Sequence, residues 1–282
     1  MAAAESQPLI TEGLDGRSFG TARLAGSLEG RADRRPSLVL LHGLTFDRRM
    51  WEPAIGALRE FDPGRQVLAL DLPGHGGSPG LSFSALDEIG AAIASAVKDA
   101  GLEAPVVVGH SMSGVIATFF AAIYPTRGVV NVDQTLDTAF IEMLQANREV
   151  FTGPGFAQQV WPMLLASMQI DVLPHGAQRL LNTDTPDQEL VLAYWRQAIE
   201  MPLPALKAMI DDTLAVLRDS HLPYAVVAGH AYDSAYTTWL RERLPQSTVE
   251  VYPNSGHFPH LADPRRFAEC LAATGRWTTE GA

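Results

Sequence analysis

The 282-residue sequence predicts an α/β fold: a mostly parallel central sheet with helices on both faces and an inserted helical cap. Two observations predict it. Short apolar runs rich in Val, Leu and Ile alternate with segments of helical periodicity, which is the pattern of parallel strands buried on both faces. This alternation stops after Asp133 and resumes at Tyr224. The intervening stretch has only helical periodicity, so we expect it to be an insertion over the sheet.

Composition and charge narrow the class of protein. The sequence is 46% hydrophobic and 19% charged, and its net charge of −11 argues against nucleic acid and anionic membrane surfaces as partners. The single cysteine, Cys270, allows no intrachain disulfide and fits a reducing compartment. No apolar run approaches membrane-spanning length, and residues 1–8 lack the basic and apolar regions of a signal peptide. We therefore expect a cytoplasmic protein.

The elements before the insertion alternate regularly. The predicted strands are 18–25 (an antiparallel edge strand), 37–41, 66–70, 106–109 and 128–133. The first helix is marked by apolar residues from Met50 to Leu58 and ends before Pro63-Gly64. The second follows a capping box of Ser84 with Asp87 and stops at Gly101. The third runs over residues 114–122.

The insertion and the final elements complete the chain. Four helical segments are predicted in the insertion: one at Phe140–Leu144, one at Val160–Met168, one opening at Thr185-Pro186, and one from about Pro204 to Leu217. Strands 224–229 and 248–252 follow, and Asp263 caps a closing helix that begins at Pro264. The predicted organisation is a core of residues 1–133 and 221–282 with a cap, or lid, of residues 134–220.

A serine lies on a tight turn between a buried strand and a helix, in the segment Val106-Val107-Val108-Gly109-His110-Ser111-Met112-Ser113-Gly114. Small flanking residues let the strand and the helix approach closely and leave the serine hydroxyl exposed, as in the nucleophile elbow G-x-S-x-G. Here serine occupies the fifth position and the glycine follows it. The motif alone is suggestive, since a surface serine on an ordinary strand-turn-helix would look similar.

Glycine-containing loops follow two other strands. His42-Gly43-Leu44-Thr45 comes directly after strand 37–41, and backbone N–H groups after such a glycine can point at an anion. Residues 71–78, with the sequence Asp-Leu-Pro-Gly-His-Gly-Gly-Ser, follow strand 66–70. A third loop, Asn254-Ser255-Gly256-His257, follows the last strand.

Together these motifs, in this order, resemble the α/β-hydrolase fold superfamily over roughly residues 18–275, and they are similar to a serine esterase-like member with a helical cap. The resemblance implies a catalytic triad in the chain order serine, acid, histidine. It implies that Ser111 is the nucleophile and that His257 is the base. His260 is a weaker candidate for the base, because His257 directly follows Gly256.

The acid has more than one candidate. The family places it in the loop after the next-to-last strand, which favours Asp233, although Asp233 lies one residue further from Gly229 than the common spacing. Some members use a carboxylate after the strand that follows the elbow, and there Asp133 and Asp137 compete. We favour Asp233 from the sequence.

The resemblance also implies an oxyanion hole formed by the backbone N–H groups of Leu44 and Met112. The cap supplies apolar residues of which some should face the serine. The candidate substrate-pocket residues are Phe140, Met143, Trp161 and Trp195.

These features predict a serine hydrolase that cleaves a small to medium, largely apolar carboxylic ester through an acyl-enzyme intermediate. C–C bond hydrolysis, thioester hydrolysis and perhydrolysis on the same triad are alternatives, and a ligand-binding receptor with weak turnover is a further one. The sequence has no metal-ligand cluster and no dinucleotide glycine motif, so no metal and no cofactor are expected. The expected partner is a small-molecule, ester-like substrate.

Overall fold

The computed structural model describes residues 17–80, 85–181, 187–273 and 277, and these form one eight-stranded sheet with helices around it. The strands are β1 (Arg17–Phe19), β2 (Leu24–Glu29), β3 (Leu38–Leu41), β4 (Val67–Leu70), β5 (Val106–His110), β6 (Gly128–Val132), β7 (Tyr224–Ala228) and β8 (Thr248–Val251). Their order across the sheet is β1-β2-β4-β3-β5-β6-β7-β8. The pairings β1–β2 and β2–β4 are antiparallel and the others are parallel, which confirms the mostly parallel sheet.

The amino-terminal edge differs from the single strand predicted over residues 18–25. The chain forms a hairpin instead, with β1 and β2 joined by a turn in which Gly20 has φ +69° and Arg23 has φ +55°. The period-2 pattern does not reveal the reversal, because the turn is only four residues long. A Cβ atom on Gly20 would lie 2.7 Å from the backbone nitrogen of Ala96, so this close approach requires glycine.

Helices cover both faces of the sheet. In chain order they are α1 (Glu52–Phe61), α2 (Leu86–Asp99), α3 (Met112–Ile123), α4 (Ala139–Ala146), α5 (Arg148–Thr152), α6 (Trp161–Met168), α7 (His175–Gln178), α8 (Gln188–Glu200), α9 (Leu203–Asp219), α10 (Ser234–Arg243), α11 (Pro259–Ala262) and α12 (Pro264–Ala272). Alternate strand residues face opposite layers. Val39 and Leu41 pack with α2 and α3, whereas Leu38 and Leu40 pack with α1 and α12.

The insertion contains two kinds of helix. One apolar cluster belongs to the cap alone and comprises Leu144, Phe151, Phe156, Val160, Trp161, Val191, Trp195 and Ile199. By contrast, Ile210, Leu214 and Leu217 of α9 pack in the same cluster as Tyr224 and Val226 of β7. The predicted cap range of residues 134–220 therefore includes one helix, α9, that packs with the core, where it contacts α3 and α10.

Some helix ends match the expected signals and others differ. The Asp263 carboxylate accepts a hydrogen bond from the backbone N–H of Arg266, which confirms the expected cap of α12. Helix α10, between β7 and β8, is not predicted from the sequence because its apolar periodicity is weak. Ser84, Thr185 and Pro186, expected at helix starts, lie outside the described residues. Within the part of the chain that the structure describes, no helix is long and apolar enough to cross a membrane.

Candidate active site

Ser111 lies on a strained turn between β5 and α3. Its backbone has φ 56° and ψ −132°, a conformation that a non-glycine residue adopts only when its surroundings enforce it. The flanking glycines are needed for close packing. A Cβ atom on Gly109 would lie 1.9 Å from the Ser113 carbonyl oxygen, and one on Gly114 would lie 2.4 Å from Asn131 Oδ1. The turn thus has the steric character of a nucleophile elbow.

The serine at the fifth position of the elbow motif has a structural partner. Ser113 is fully buried, and its hydroxyl donates a hydrogen bond to the backbone carbonyl of His42. This bond ties the start of α3 to the loop after β3. The glycine missing from the fifth position is supplied one residue later by Gly114, where the backbone meets Asn131.

The side chains of His257 and Asp133 form a hydrogen-bonded pair. His257 Nδ1 lies 2.7 Å from Asp133 Oδ2, and the other carboxylate oxygen, Oδ1, accepts a 2.7 Å hydrogen bond from the Gly229 backbone N–H. Burial alone would raise the pKa of Asp133, but the hydrogen bonds and the neighbouring His257 outweigh it, so this pKa lies below its ordinary value. Asp133 is therefore held as a carboxylate that can fix the tautomer of the His257 ring.

This geometry corrects the sequence-based preference for Asp233. Asp233 is exposed, and its carboxylate accepts a hydrogen bond from the Tyr236 backbone N–H, which makes it the N-cap of α10. Asp133 instead follows β6 directly with φ 55°, a left-handed conformation that aspartate tolerates. Asp137, the other candidate, borders the same cavity but does not contact His257.

His260 does not face the cavity. It is fully buried, its ring lies 4.5 Å from that of Trp51 and 4.8 Å from that of His110, and neither ring nitrogen has a hydrogen-bond partner among the described residues. Burial lowers the pKa of His260 to about 3. The His257 side chain, in contrast, is 19% exposed and borders the cavity.

His110, at the variable position of the elbow motif, links Ser111 to the His257 loop. Its Nε2 donates a 2.7 Å hydrogen bond to the backbone carbonyl of His257, and the two rings lie 4.7 Å apart. Burial is the main cause that holds the pKa of His110 well below its ordinary value. The sequence gives no signal for this contact, because the two residues are 147 positions apart.

Two further buried histidines shape the loop after β3. The His75 Nε2 accepts a 3.0 Å hydrogen bond from the Thr45 backbone N–H, and the His42 Nε2 accepts a 2.9 Å hydrogen bond from the Leu72 backbone N–H. Burial lowers the pKa of His42 to about 4 and that of His75 to about 3, so both rings stay neutral and can accept. They connect residues 42–45 to the loop after β4.

Leu44 and Met112 are the two residues expected from the sequence to supply the oxyanion hole. Both residues border the same cavity as Ser111. Within the described parts of the chain, neither N–H donates a hydrogen bond to a backbone carbonyl, so both can donate to a ligand. Met112 is also the first residue of α3, whose positive dipole end faces this point.

A cavity of about 580 Å³ lies between the cap and the carboxyl ends of the strands, with Ser111, Asp133 and His257 in its wall. Of the four pocket residues expected from the sequence, Phe140, Trp161 and Trp195 border it. Met143 packs against the cap cluster instead, because Phe140 and Leu144 occupy the face of α4 that meets the cavity.

Two core helices, α3 and α9, also contribute to the cavity wall, beyond the pocket residues predicted from the sequence. Val115 and Phe119 of α3 lie one helical turn apart, and Ile210 and Leu214 of α9 repeat that spacing. This i, i+4 spacing is the signal that could have identified them. The wall is therefore apolar on the core side as well as on the cap side.

A model of the protein family described as the "Alpha/beta hydrolase family" matches residues 38–270. The chain is 25% identical over 262 residues to the pimeloyl-[acyl-carrier protein] methyl ester esterase of Nitrosomonas europaea. The matched region covers 84% of this chain and 95% of that protein. It is 29% identical over 261 residues to the biotin biosynthesis bifunctional protein BioHC of Cellvibrio japonicus, covering 84% of this chain but 47% of the relative, so it spans about half of that protein. The fold is similar to that of the haloalkane dehalogenase DbeA from Bradyrhizobium elkani, with a TM-score of 0.68, 17% identity, and coverage of 91% and 95% of the two chains.

Proposed function

The chain belongs to the alpha/beta hydrolase family, and we propose that it is a serine hydrolase that cleaves a small to medium, largely apolar carboxylic ester. The proposed triad is Ser111, His257 and Asp133. One observation carries the proposal: the 2.7 Å contact between His257 and Asp133 in the wall of the cavity that Ser111 also borders. The similarity to a methyl ester esterase supports ester hydrolysis as the reaction.

In the proposed acylation step, Ser111 Oγ attacks the ester carbonyl carbon while His257 Nε2 takes the hydroxyl proton. Asp133 accepts the Nδ1–H of His257 throughout and stabilises the imidazolium that forms. Ser111 and His257 make no hydrogen bond to each other in this structure, both residues being described. Such bonds are often formed only when substrate is bound.

The developing negative charge on the carbonyl oxygen would be stabilised by the backbone N–H groups of Leu44 and Met112. His257 then gives its proton to the departing alkoxide, which leaves as the alcohol. In the second step His257 takes a proton from water, the resulting nucleophile attacks the acyl-enzyme, and Ser111 recovers its proton as the acid is released.

The composition of the cavity wall favours a substrate with an apolar acyl group. It is formed mainly by aliphatic and aromatic side chains from α3, α4, α6, α8 and α9. Because burying apolar surface contributes roughly 25 cal/mol per Å², an apolar chain gains affinity in proportion to the length that the cavity covers. The cavity volume of about 580 Å³ lies within the range of sites that hold small-molecule ligands.

The proposal is tested with a panel of p-nitrophenyl esters from acetate to dodecanoate, each with and without a serine-directed phosphonate. We expect turnover with an optimum at short to medium chains, and its loss after phosphonate treatment. Absence of turnover across the panel, or hydrolysis that is insensitive to the phosphonate, would contradict the proposal.

A further inference from the structure

The charged side chains in the cavity wall decide whether the cavity can bind an anion. Among the described residues, no Lys or Arg lines its wall. Of the undescribed residues, which are 1–16, 81–84, 182–186, 274–276 and 278–282, Arg276 is the one Lys or Arg. The histidines of the wall, His230 and His257, face Asp133, at 4.0 Å and 2.7 Å respectively. From the residues that the structure describes, a substrate anion entering this cavity would therefore meet no unpaired positive charge.

The wall does carry a second carboxylate, Asp137. Its Oδ1 atom is buried and has no hydrogen-bond partner among the described residues. Burial raises the pKa of Asp137 above its ordinary value. Hydrogen bonds from the Ala139 backbone N–H and the Thr135 side chain oppose this rise, and the negative charges of Asp233 and Glu142 add to it. Asp133, by contrast, has hydrogen-bond donors on both oxygens. Asp137 is thus the carboxylate of the wall that can repel an anion or accept a hydrogen bond.

The insertion as a whole is also negatively charged. Residues 134–220 contain five Lys and Arg against eleven Asp and Glu. One of these cations, Lys207, borders a small surface pocket together with Asp137, and Glu142 and Asp211 border the same pocket. A negative field over the entrance lowers the local concentration of anionic substrates and does not affect neutral ones.

We propose that this site selects esters with an uncharged acyl chain and rejects esters whose acyl chain ends in a carboxylate, with Asp137 as a specificity-determining residue. The inference rests on the proposed function, because it concerns the acyl group of that reaction. The physical reason is that an anion buried without a cationic or hydrogen-bonding partner loses its hydration and gains nothing in return. Next to a desolvated carboxylate, it also experiences like-charge repulsion.

The test compares two substrates of equal chain length, p-nitrophenyl hexanoate and mono-p-nitrophenyl adipate. The second differs by a terminal carboxylate. For the wild-type protein we expect kcat/KM for the neutral ester to exceed that for the anionic ester by about 100-fold or more, as follows from an unpaired buried charge. Replacing Asp137 by Asn, which removes the charge and keeps the size, should narrow this ratio by about tenfold, the effect of one nearby charge at an intermediate dielectric.

Glu149→Gln is the matched control. Glu149 is an exposed residue of the insertion that borders neither the cavity nor the small pocket beside it, so this change removes one negative charge without touching the surroundings of Asp137. We expect the substrate ratio of this variant to stay within about twofold of wild type, because an exposed charge is screened by solvent and salt. Melting curves of all three proteins check that each variant is folded.

Three outcomes would overturn the inference, and they can be told apart. Equal kcat/KM values for the two esters in the wild-type protein would show that the site does not reject an acyl carboxylate, while the proposed function stands. An unchanged ratio of the two kcat/KM values in a folded Asp137→Asn protein would show that Asp137 does not determine this specificity. Absence of turnover with both esters would overturn the proposed function itself and this inference with it.

Discussion

His257 Nδ1 lies 2.7 Å from Asp133 Oδ2, although 124 positions separate the two residues in the sequence. The sheet explains the contact. β6 and β7 are parallel neighbours in register, with Val132 opposite Val227, so their carboxyl ends meet at the same edge. A carboxylate after either strand can reach this edge. In this protein the residue after β6 supplies it, and the loop after β7 contributes the Gly229 N–H that holds it.

The acid assignment predicts different outcomes for two aspartates. Asp133→Asn should lower kcat by about 10⁴-fold, because an amide at this position favours the wrong tautomer of the imidazole. Asp233→Asn should stay close to wild type, since Asn also caps helices well and α10 would keep its start. Ester turnover and melting temperature of both variants are the measurements. A crippled Asp233→Asn beside an active Asp133→Asn, both folded, would return the acid to the loop after β7.

His110 should act as a positioning residue through its hydrogen bond to the His257 carbonyl. His110→Ala is expected to lower kcat by about 10- to 100-fold with little change in KM, because a small displacement of the base weakens proton transfer more than substrate binding. His110→Gln can place an amide N–H near the same carbonyl and should recover part of the loss. Equal losses in both variants, or a loss confined to KM, would argue that the side chain only fills space.

Four buried histidines, His42, His75, His110 and His260, predict that stability falls at mildly acidic pH. Their ordinary pKa is 6.5, and burial lowers it to about 4 for His42, to about 3 for His75 and His260, and well below 6.5 for His110. The unfolded chain therefore binds more protons below pH 6.5 than the folded chain does. The stabilisation is fully present above pH 6.5 and is lost as the pH falls toward the folded values.

The check is urea denaturation at several pH values between about 7 and 5, a window chosen above the ordinary pKa values of carboxylates. The free energy of unfolding should decrease steeply there, with an uptake of up to about four protons on unfolding. His260→Leu removes one of these groups without touching the cavity and should lower the uptake by about one proton. A flat free energy over this window would contradict the neutral, buried state of these rings.

The cap tryptophans should set the preferred chain length of the substrate. Trp161→Ala and Trp195→Ala enlarge the cavity and are expected to shift the optimum on the p-nitrophenyl ester panel toward longer acyl chains. Met143→Ala is the matched control, because Met143 packs on the same cap cluster without bordering the cavity. Each Trp→Ala change also costs about 3–5 kcal/mol of stability, so melting curves must accompany the kinetics. The same chain-length profile in all three variants would show that these tryptophans only pack within the core of the cap and do not set the substrate length.

Much of the sheet is predictable from the sequence, because the parallel strands β3 to β7 are buried on both faces and so read as mostly apolar runs. β3, β4, β5, β6 and β7 all appear in this way within one residue of their ends. The hairpin of β1 and β2 and the helix α10 are not predicted, since a four-residue turn and a mostly polar helix leave little periodic signal. The membership of α9 in the core depends on which face it packs against, and helical periodicity alone does not specify that.

Some residues of the candidate site are predictable from the sequence and others are not. Ser111 and His257 follow strands within glycine-containing turns, which a sequence reveals as local motifs. The acid depends on a contact between loops after two different strands, so Asp133 and Asp233 look alike until the sheet order is known. His110 and Met143 are similar cases: which neighbours they meet is decided by tertiary packing and leaves no local pattern.

The central claim is that Ser111 is the nucleophile, and the most direct measurement is the mass-spectrometric mapping of a fluorophosphonate adduct on the intact protein. Ser111→Ala should lose the adduct and about 10⁴-fold or more of the ester turnover, keeping only what binding and the oxyanion hole supply. Ser113→Ala, whose hydroxyl is buried against the His42 carbonyl, should keep the adduct on Ser111. An adduct on a different residue, or a Ser111→Ala protein that still labels and turns over esters at the wild-type rate, would contradict the assignment.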